Sequence, residues 1–220
     1  MPRDTKELIL DKAKEVFNVR GYDAVTLHEL AAELDMSRGN LAYHYKDKDL
    51  LLEAIVAEMW ERIEEDRRKF RPFPSFENLH NEVQLYYKYQ QEYAFLFLNP
   101  LLLNHPAVQA RFREMTRKTI ADNEASLAFA IKNGTLKPEP VPGLYHNIAF
   151  ITWMLAFYWL SQQLIRGERT REDGEKVIWS QLIPHLTAKG LKDFKAFFGE
   201  DYFNNLGEPL RMETAHTFTF

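Results

Sequence analysis

Thr26-Leu27-His28-Glu29-Leu30-Ala31-Ala32-Glu33-Leu34-Asp35-Met36-Ser37-Arg38-Gly39-Asn40-Leu41-Ala42-Tyr43-His44-Tyr45-Lys46-Asp47-Lys48 decides the fold. Thr26 and Glu29 have the spacing of a capping box, so a helix starts after Thr26. Leu27, Leu30, Ala31 and Leu34 recur at i, i+3, i+4 and i+7, one face of that short helix. Only Asp35-Met36 separates it from Ser37, a strong N-cap for a second short helix. Leu41 and Tyr45 continue the apolar face there. Asp47 caps the next helix. Two short helices joined by so tight a turn form a helix-turn-helix.

The flanking sequence completes the unit. Asp4 caps a first helix with Ile9, Ala13, Val16 and Phe17 inward, with Glu7 placed as a capping-box acid, and Gly21-Tyr22 ends it. The helix that starts at Asp47 carries Leu50, Leu51, Ile55, Met59 and Ile63 to about Phe70, where Pro72 and Pro74 stop it. Beyond the prolines the periodicity predicts helices over 75–98, 106–133, 142–167 and 171–188, a short one over 190–198, and no periodicity in the last fifteen residues. The expected architecture is all-α. A three-helix head, residues 1–50, is joined by a long helix to a larger helical domain, residues 51–220.

Composition narrows the chemistry. The 220 residues are 45% hydrophobic and 27% charged, enough to bury a large core. With no cysteine, disulfide frameworks, thiolate metal sites and cysteine nucleophiles are excluded. Met1 to Lys14 shows no apolar signal region, and the most apolar run, Ile148 to Leu160, is too short for a membrane span. A cytoplasmic protein is expected. The net charge of −4 gives no general affinity for nucleic acid, so DNA binding rests on a local surface. Met36 to Lys48 supplies one: three basic residues, His44 and a single acid.

In the second short helix Arg38, Asn40 and His44 lie off the apolar face, available to bases or phosphates. Arg suits guanine and Asn suits adenine in bidentate geometry. Gly39 lets the backbone approach a duplex. Lys48 opens the next helix, whose N-terminal dipole favours a phosphate. On pattern alone, three short amphipathic helices also suit many all-α domains with no DNA partner.

The order Phe17, Gly21, Thr26, Leu30-Ala31, Ser37, Gly39, Leu41, His44, Tyr45, Lys48 resembles the TetR-like transcriptional regulators over about fifty residues. The resemblance implies Thr26, Ser37, Arg38, Gly39, Asn40, Tyr43, His44 and Lys48 as DNA-contacting residues. It also implies a palindromic double-stranded operator, a homodimer and a small-molecule effector held in the C-terminal domain. Two positions depart. Asp35 stands where the family usually has Gly, and a left-handed Asp is the expected solution. Ala42 stands where the family has Tyr, so Tyr43 is expected to take over that phosphate contact.

The remaining chain offers two apolar stripes, Leu144, Ile148, Ile151, Leu155, Tyr158 and Trp159, then Val177, Ile178, Leu182 and Leu186. Paired between subunits, they would form a four-helix interface. Tyr86, Tyr89, Phe97, Phe112, Met115, Phe129, Trp153 and Phe157 could line a pocket for an apolar or aromatic ligand or simply fill a core. No cofactor is expected. The rival functions are a di-iron enzyme, through Glu77-x-x-His80 and Glu213-x-x-His216, and a helical adaptor that binds only protein.

Overall fold

The computed structural model describes residues 4–70, 74–167 and 174–209. Pro72, the expected helix start at 171, the Glu213/His216 pair and most of the aperiodic tail lie outside the described residues. Among the described residues there are helices and no strand, only an isolated bridge between Leu136 and Leu186. The helices are α1 (Thr5–Arg20), α2 (Leu27–Glu33), α3 (Arg38–His44), α4 (Lys48–Arg67), α5 (Phe76–Glu92), α6 (Ala94–Phe97), α7 (Pro106–Lys132), α8 (Leu144–Phe157), α9 (Trp159–Ile165), α10 (Glu175–Leu182), α11 (Ala188–Phe198) and α12 (Glu200–Asn204). Short 3-10 turns cover Leu102–Asn104 and Ile183–His185.

The polar punctuation forms as read. Asp4 accepts from the Lys6 N–H, Ser37 from Asn40 and Asp47 from Leu50. The full reciprocal box closes between Thr26 and Glu29. Each such cap contributes about 1 kcal/mol. Asp35 adopts φ +52°, and no other non-glycine among the described residues has positive φ. Relieving that conformation with glycine is opposed by glycine's greater unfolded-state freedom. Asp35→Gly is therefore expected to change stability by no more than about 1 kcal/mol, whereas a β-branched Asp35→Val costs about 2 kcal/mol or more. Urea midpoints at constant m-value check both.

Two helices break where the sequence predicts continuity. The segment expected over 75–98 divides at Tyr93 into α5 and α6. The one expected over 142–167 divides at Tyr158, and α8 and α9 meet at 57°. Neither break contains glycine or proline. At the second, Trp159 turns onto Gly174 so closely that a Cβ there would lie 2.2 Å from the indole. The helix expected over 171–188 ends at Leu182, before the turn holding Pro184, and Thr187 caps α11 by accepting from Gly190. Helix α4 ends at Arg67, three residues before the expected Phe70.

The chain forms two compact units: residues 1–68 with 88–114, and residues 69–87 with 115–220. In the first, Ile9, Ala13, Phe17, Leu30, Leu41, Leu51, Leu52 and Ile55 are buried to within about 1% exposure. Burying each large side chain is worth about 1.5–3 kcal/mol. Tyr89, Tyr93, Phe95 and Leu96 belong to the same unit, so its core draws on residues well beyond the head. In the second, Tyr87, Tyr145, Ile148, Trp159, Ile178, Trp179, Leu182 and Phe194 form the core. The first expected stripe thus divides: Ile148 and Trp159 are buried, while Ile151 and Tyr158 are exposed. Most of the second goes inward, with Ile178, Leu182 and Leu186 buried. Among the described residues no single helix is long and apolar enough to cross a membrane.

Candidate nucleic-acid interface

The second helix of the helix-turn-helix is α3. Leu41 is fully buried and Tyr45 nearly so, which fixes the helix against the core of its unit. Ser37 holds the first turn through the Asn40 N–H at 3.1 Å. On the outward side Ser37, Arg38, Gly39 and Asn40 are all exposed, His44 is half-buried and Tyr43 is 86% exposed. An aromatic left so open takes no part in the core of its unit. The Tyr43 and His44 rings meet edge to face, 5.3 Å apart.

Thr26 is exposed at the start of α2. Its backbone N–H and its hydroxyl both donate to Glu29 Oε2, each at 2.8 Å. Those two bonds, then Arg20 at 2.5 Å, hold the Glu29 carboxyl down at about 2. Arg20 thus offsets the charge of the acid beside the N-cap.

Lys48 faces its own unit. Its ammonium donates to the Tyr22 carbonyl and lies 3.9 Å from the centre of the Tyr22 ring. Burial pushes its pKa down, against Asp23, Asp49 and Glu29, which pull it up. The Tyr22 hydroxyl returns the contact, with Lys48 O at 3.5 Å and Asp49 Oδ1 at 3.4 Å. Burial, then the Asp49 charge, holds that phenol above its ordinary range. This clasp ties the end of α1 to the start of α4. In the sequence Tyr22 reads only as the apolar residue after a stop glycine, and its role with Lys48 was missed. A Tyr and a Lys twenty-six positions apart carry no periodic signal.

The candidate ligand residues divide between the units. Tyr89, Phe97 and Phe112 belong to the first. Tyr89 is buried with its hydroxyl on Asp66 at 3.1 Å, and the Phe97 and Phe112 rings lie 5.5 Å apart. Tyr86, Met115, Phe129, Trp153 and Phe157 belong to the second. There Tyr86 meets the Thr119 hydroxyl at 2.9 Å, and the Trp153 ring lies tilted against both Phe150 and Phe157. The Trp153 indole N–H is buried with no hydrogen-bond partner among the described residues. Of the di-iron pattern, His80 meets the buried Glu175 at 2.6 Å, and no group of three or more metal-ligating side chains gathers among the described residues.

Comparison with known proteins agrees with this geometry. The sequence model of the bacterial regulatory proteins of the tetR family matches residues 9–55, and the TetR model of bacterial transcriptional repressors matches residues 52–194. The HTH-type transcriptional regulator YhgD of Bacillus subtilis is 26% identical over 145 residues, covering 63% of this chain and 75% of that one. A TetR-family regulator from Marinobacter aquaeolei has the same fold, with a TM-score of 0.78, 22% identity and coverage of 91% of this chain and 99% of that one. AibR, solved with isovaleryl coenzyme A and operator DNA, follows at a TM-score of 0.60 and 17% identity, over 81% of this chain and 96% of that one. With family models covering both its head and the greater part of the chain beyond, this protein belongs to the TetR family of DNA-binding bacterial transcriptional regulators.

Proposed function

We propose that this chain is a homodimeric, cytoplasmic repressor that grips a palindromic operator and releases it on binding a small apolar or aromatic effector. The observation that carries the reading is α3 itself: a capped, well-anchored short helix whose outward side offers Arg38, Asn40 and Tyr43 to a duplex. Arg38 and Asn40 read bases; Thr26, Ser37, Tyr43, His44 and Lys48 hold the backbone, and Gly39 allows close approach. Phe150, Ile151, Met154 and Tyr158, each exposed on or beside α8, supply the apolar face that a second copy covers. The effector contacts Tyr86, Met115, Phe129, Trp153 and Phe157. Because a buried donor without an acceptor is costly, that effector carries an oxygen for the Trp153 N–H. AibR, which shares the fold, was solved in complex with isovaleryl coenzyme A and operator DNA, so a protein of this fold holds both kinds of partner.

Selection of bound duplexes from a random pool tests the reading. A recovered palindrome supports both operator binding and dimer symmetry; a pool that converges on no sequence overturns it. On the recovered duplex, Lys48→Ala is expected to weaken all sequences alike and to lower the salt slope by about 0.9 per half-site. An unchanged slope would assign Lys48 to the Tyr22 clasp alone. Effector and operator must also weaken each other by the same factor, on the order of 1–3 kcal/mol.

A further inference from the structure

Helices α5 and α6 part at Tyr93, whose backbone at φ −116° and ψ 38° has left the helix. In an unbroken helix the Glu92 carbonyl would accept from the N–H four residues on, and the Phe95 N–H would donate to the carbonyl four residues back. Here the Leu96 N–H turns to Tyr93 O at 2.9 Å. Glu92 O and Phe95 N–H are left over, and one side chain takes both. Asn18 Nδ2 donates to Glu92 O at 2.8 Å, and Asn18 Oδ1 accepts from Phe95 N–H at 3.0 Å. A carboxamide carries a donor and an acceptor in one plane, as a peptide does, so Asn18 stands in for the lost pair. The neighbouring Phe17 ring lies 5.3 Å from Phe95 and holds the same junction from the apolar side.

The chain that leaves this junction returns twice to the helix-turn-helix. Asn99 Nδ2 donates to Asp23 Oδ2 at 3.1 Å, just before α2. His105 Nε2 lies 3.4 Å from Asp49 Oδ1, in the first turn of α4 and just after α3. Residues 92–105 therefore grip the reading head at three places: on α1, ahead of α2 and behind α3.

We infer that Asn18 is a positioning residue for operator binding, fixing residues 92–97 to α1 so that Asn99 and His105 set the attitude of α2 and α3. The inference rests on the operator-binding reading above. Specific binding needs both recognition helices at one tilt and one separation, whereas random DNA is held through phosphates and tolerates tilt. Loosening the bracket should therefore lower selectivity rather than general affinity.

The test compares the full chain with its Asn18→Ala, Asn18→Asp, Asn99→Ala and Val19→Ala variants on the selected duplex and on random duplex. Amide exchange at Phe95 is followed in parallel. Asn18→Ala is expected to lose about five- to tenfold on the selected duplex and to stay within about twofold on random DNA, with faster exchange at Phe95. Asn18→Asp keeps the acceptor for Phe95 but loses the donor, and should fall between. Asn99→Ala should show the same selective loss, and Val19→Ala, on the exposed side of α1, should show none. Equal losses on both duplexes would reduce Asn18 to a stabilising contact and overturn the inference. So would unchanged binding to the selected duplex, whatever the exchange shows. If Asn18→Ala does not fold, Asn18→Asp and Asn99→Ala carry the same comparison. A wild-type chain that binds no selected duplex removes the operator reading and this inference with it; a wild-type chain that binds while its Asn18 variants match it removes this inference alone.

Discussion

Arg38→Ala is expected to cost about 1–3 kcal/mol on the preferred duplex and to relax specificity at one position in each half-site. Arg38 is the first residue of α3, the end that enters a major groove, and its side chain is exposed. Ser37 fixes the backbone turn from which it projects, so only the side chain itself is ordered when it meets a base. A guanidinium also presents two parallel donors, which match the acceptors on one guanine edge. Titration of the variant against the selected duplex and against a set with single base changes would show a flattened preference at that position. Equal losses on selected and random DNA would assign Arg38 to a phosphate instead.

Gly190→Ala is expected to destabilise the second unit by about 2 kcal/mol or more, after allowing for the roughly 1 kcal/mol that alanine gains in a helix. The added Cβ would meet the Thr135 carbonyl oxygen at 1.9 Å, and that oxygen is backbone. It cannot turn aside as a side chain would. The same oxygen accepts from the Thr187 N–H at 3.0 Å, so moving it also strains the cap of α11. A fall of at least about 4–8 °C in thermal midpoint is expected for a chain of this size. Gly39→Ala is the control. The nearest atom to its Cβ is 3.9 Å away and its φ is not positive, so stability should hold or rise.

The parts of the fold that were legible in the sequence share one property: their cause is local. Thr26, Ser37 and Asp47 announce helices because each bonds to a backbone N–H three residues on. Asp35 announces the turn because only a few residue types tolerate that conformation. The breaks at Tyr93 and Tyr158 have no such mark. Both occur at aromatic residues that suit a helix interior. What ends α5 is a distant carboxamide ready to take up the freed peptide groups, and Trp159 leaves the line of α8 for a place against Gly174. Thr187 was hidden differently, inside an apparent continuation of α10 that the turn holding Pro184 interrupts.

The same distinction divides the residues proposed for function. Tyr43 was reached only through the family resemblance; Arg38, Asn40 and His44 could be placed off the apolar side of α3 from spacing alone, because the apolar positions Leu41 and Tyr45 define that side. Asn18 could not, since its partners are main-chain groups more than seventy positions away. Nor could the inward turn of Lys48, which depends on Tyr22. The aromatic residues chosen as a ligand lining show the limit from another side. Composition selects large apolar groups, but it does not separate Tyr89, held in one unit by Asp66, from Trp153, held in the other with an unanswered N–H.

The division of the first unit between residues 1–68 and 88–114 has a consequence for synthesis. A ribosome that has released only the first fifty residues has delivered every side chain of the reading surface but not Phe95, the partner of Phe17, or the backbone pair that Asn18 holds. The head can close its core only when residues near 114 have emerged. The second unit must wait for Phe194 and the helices around it, roughly eighty residues later, or on the order of ten seconds at ordinary elongation rates. Translation therefore gives the nascent chain an interval in which its DNA-reading unit can already be whole while the unit proposed to receive the effector is still being made.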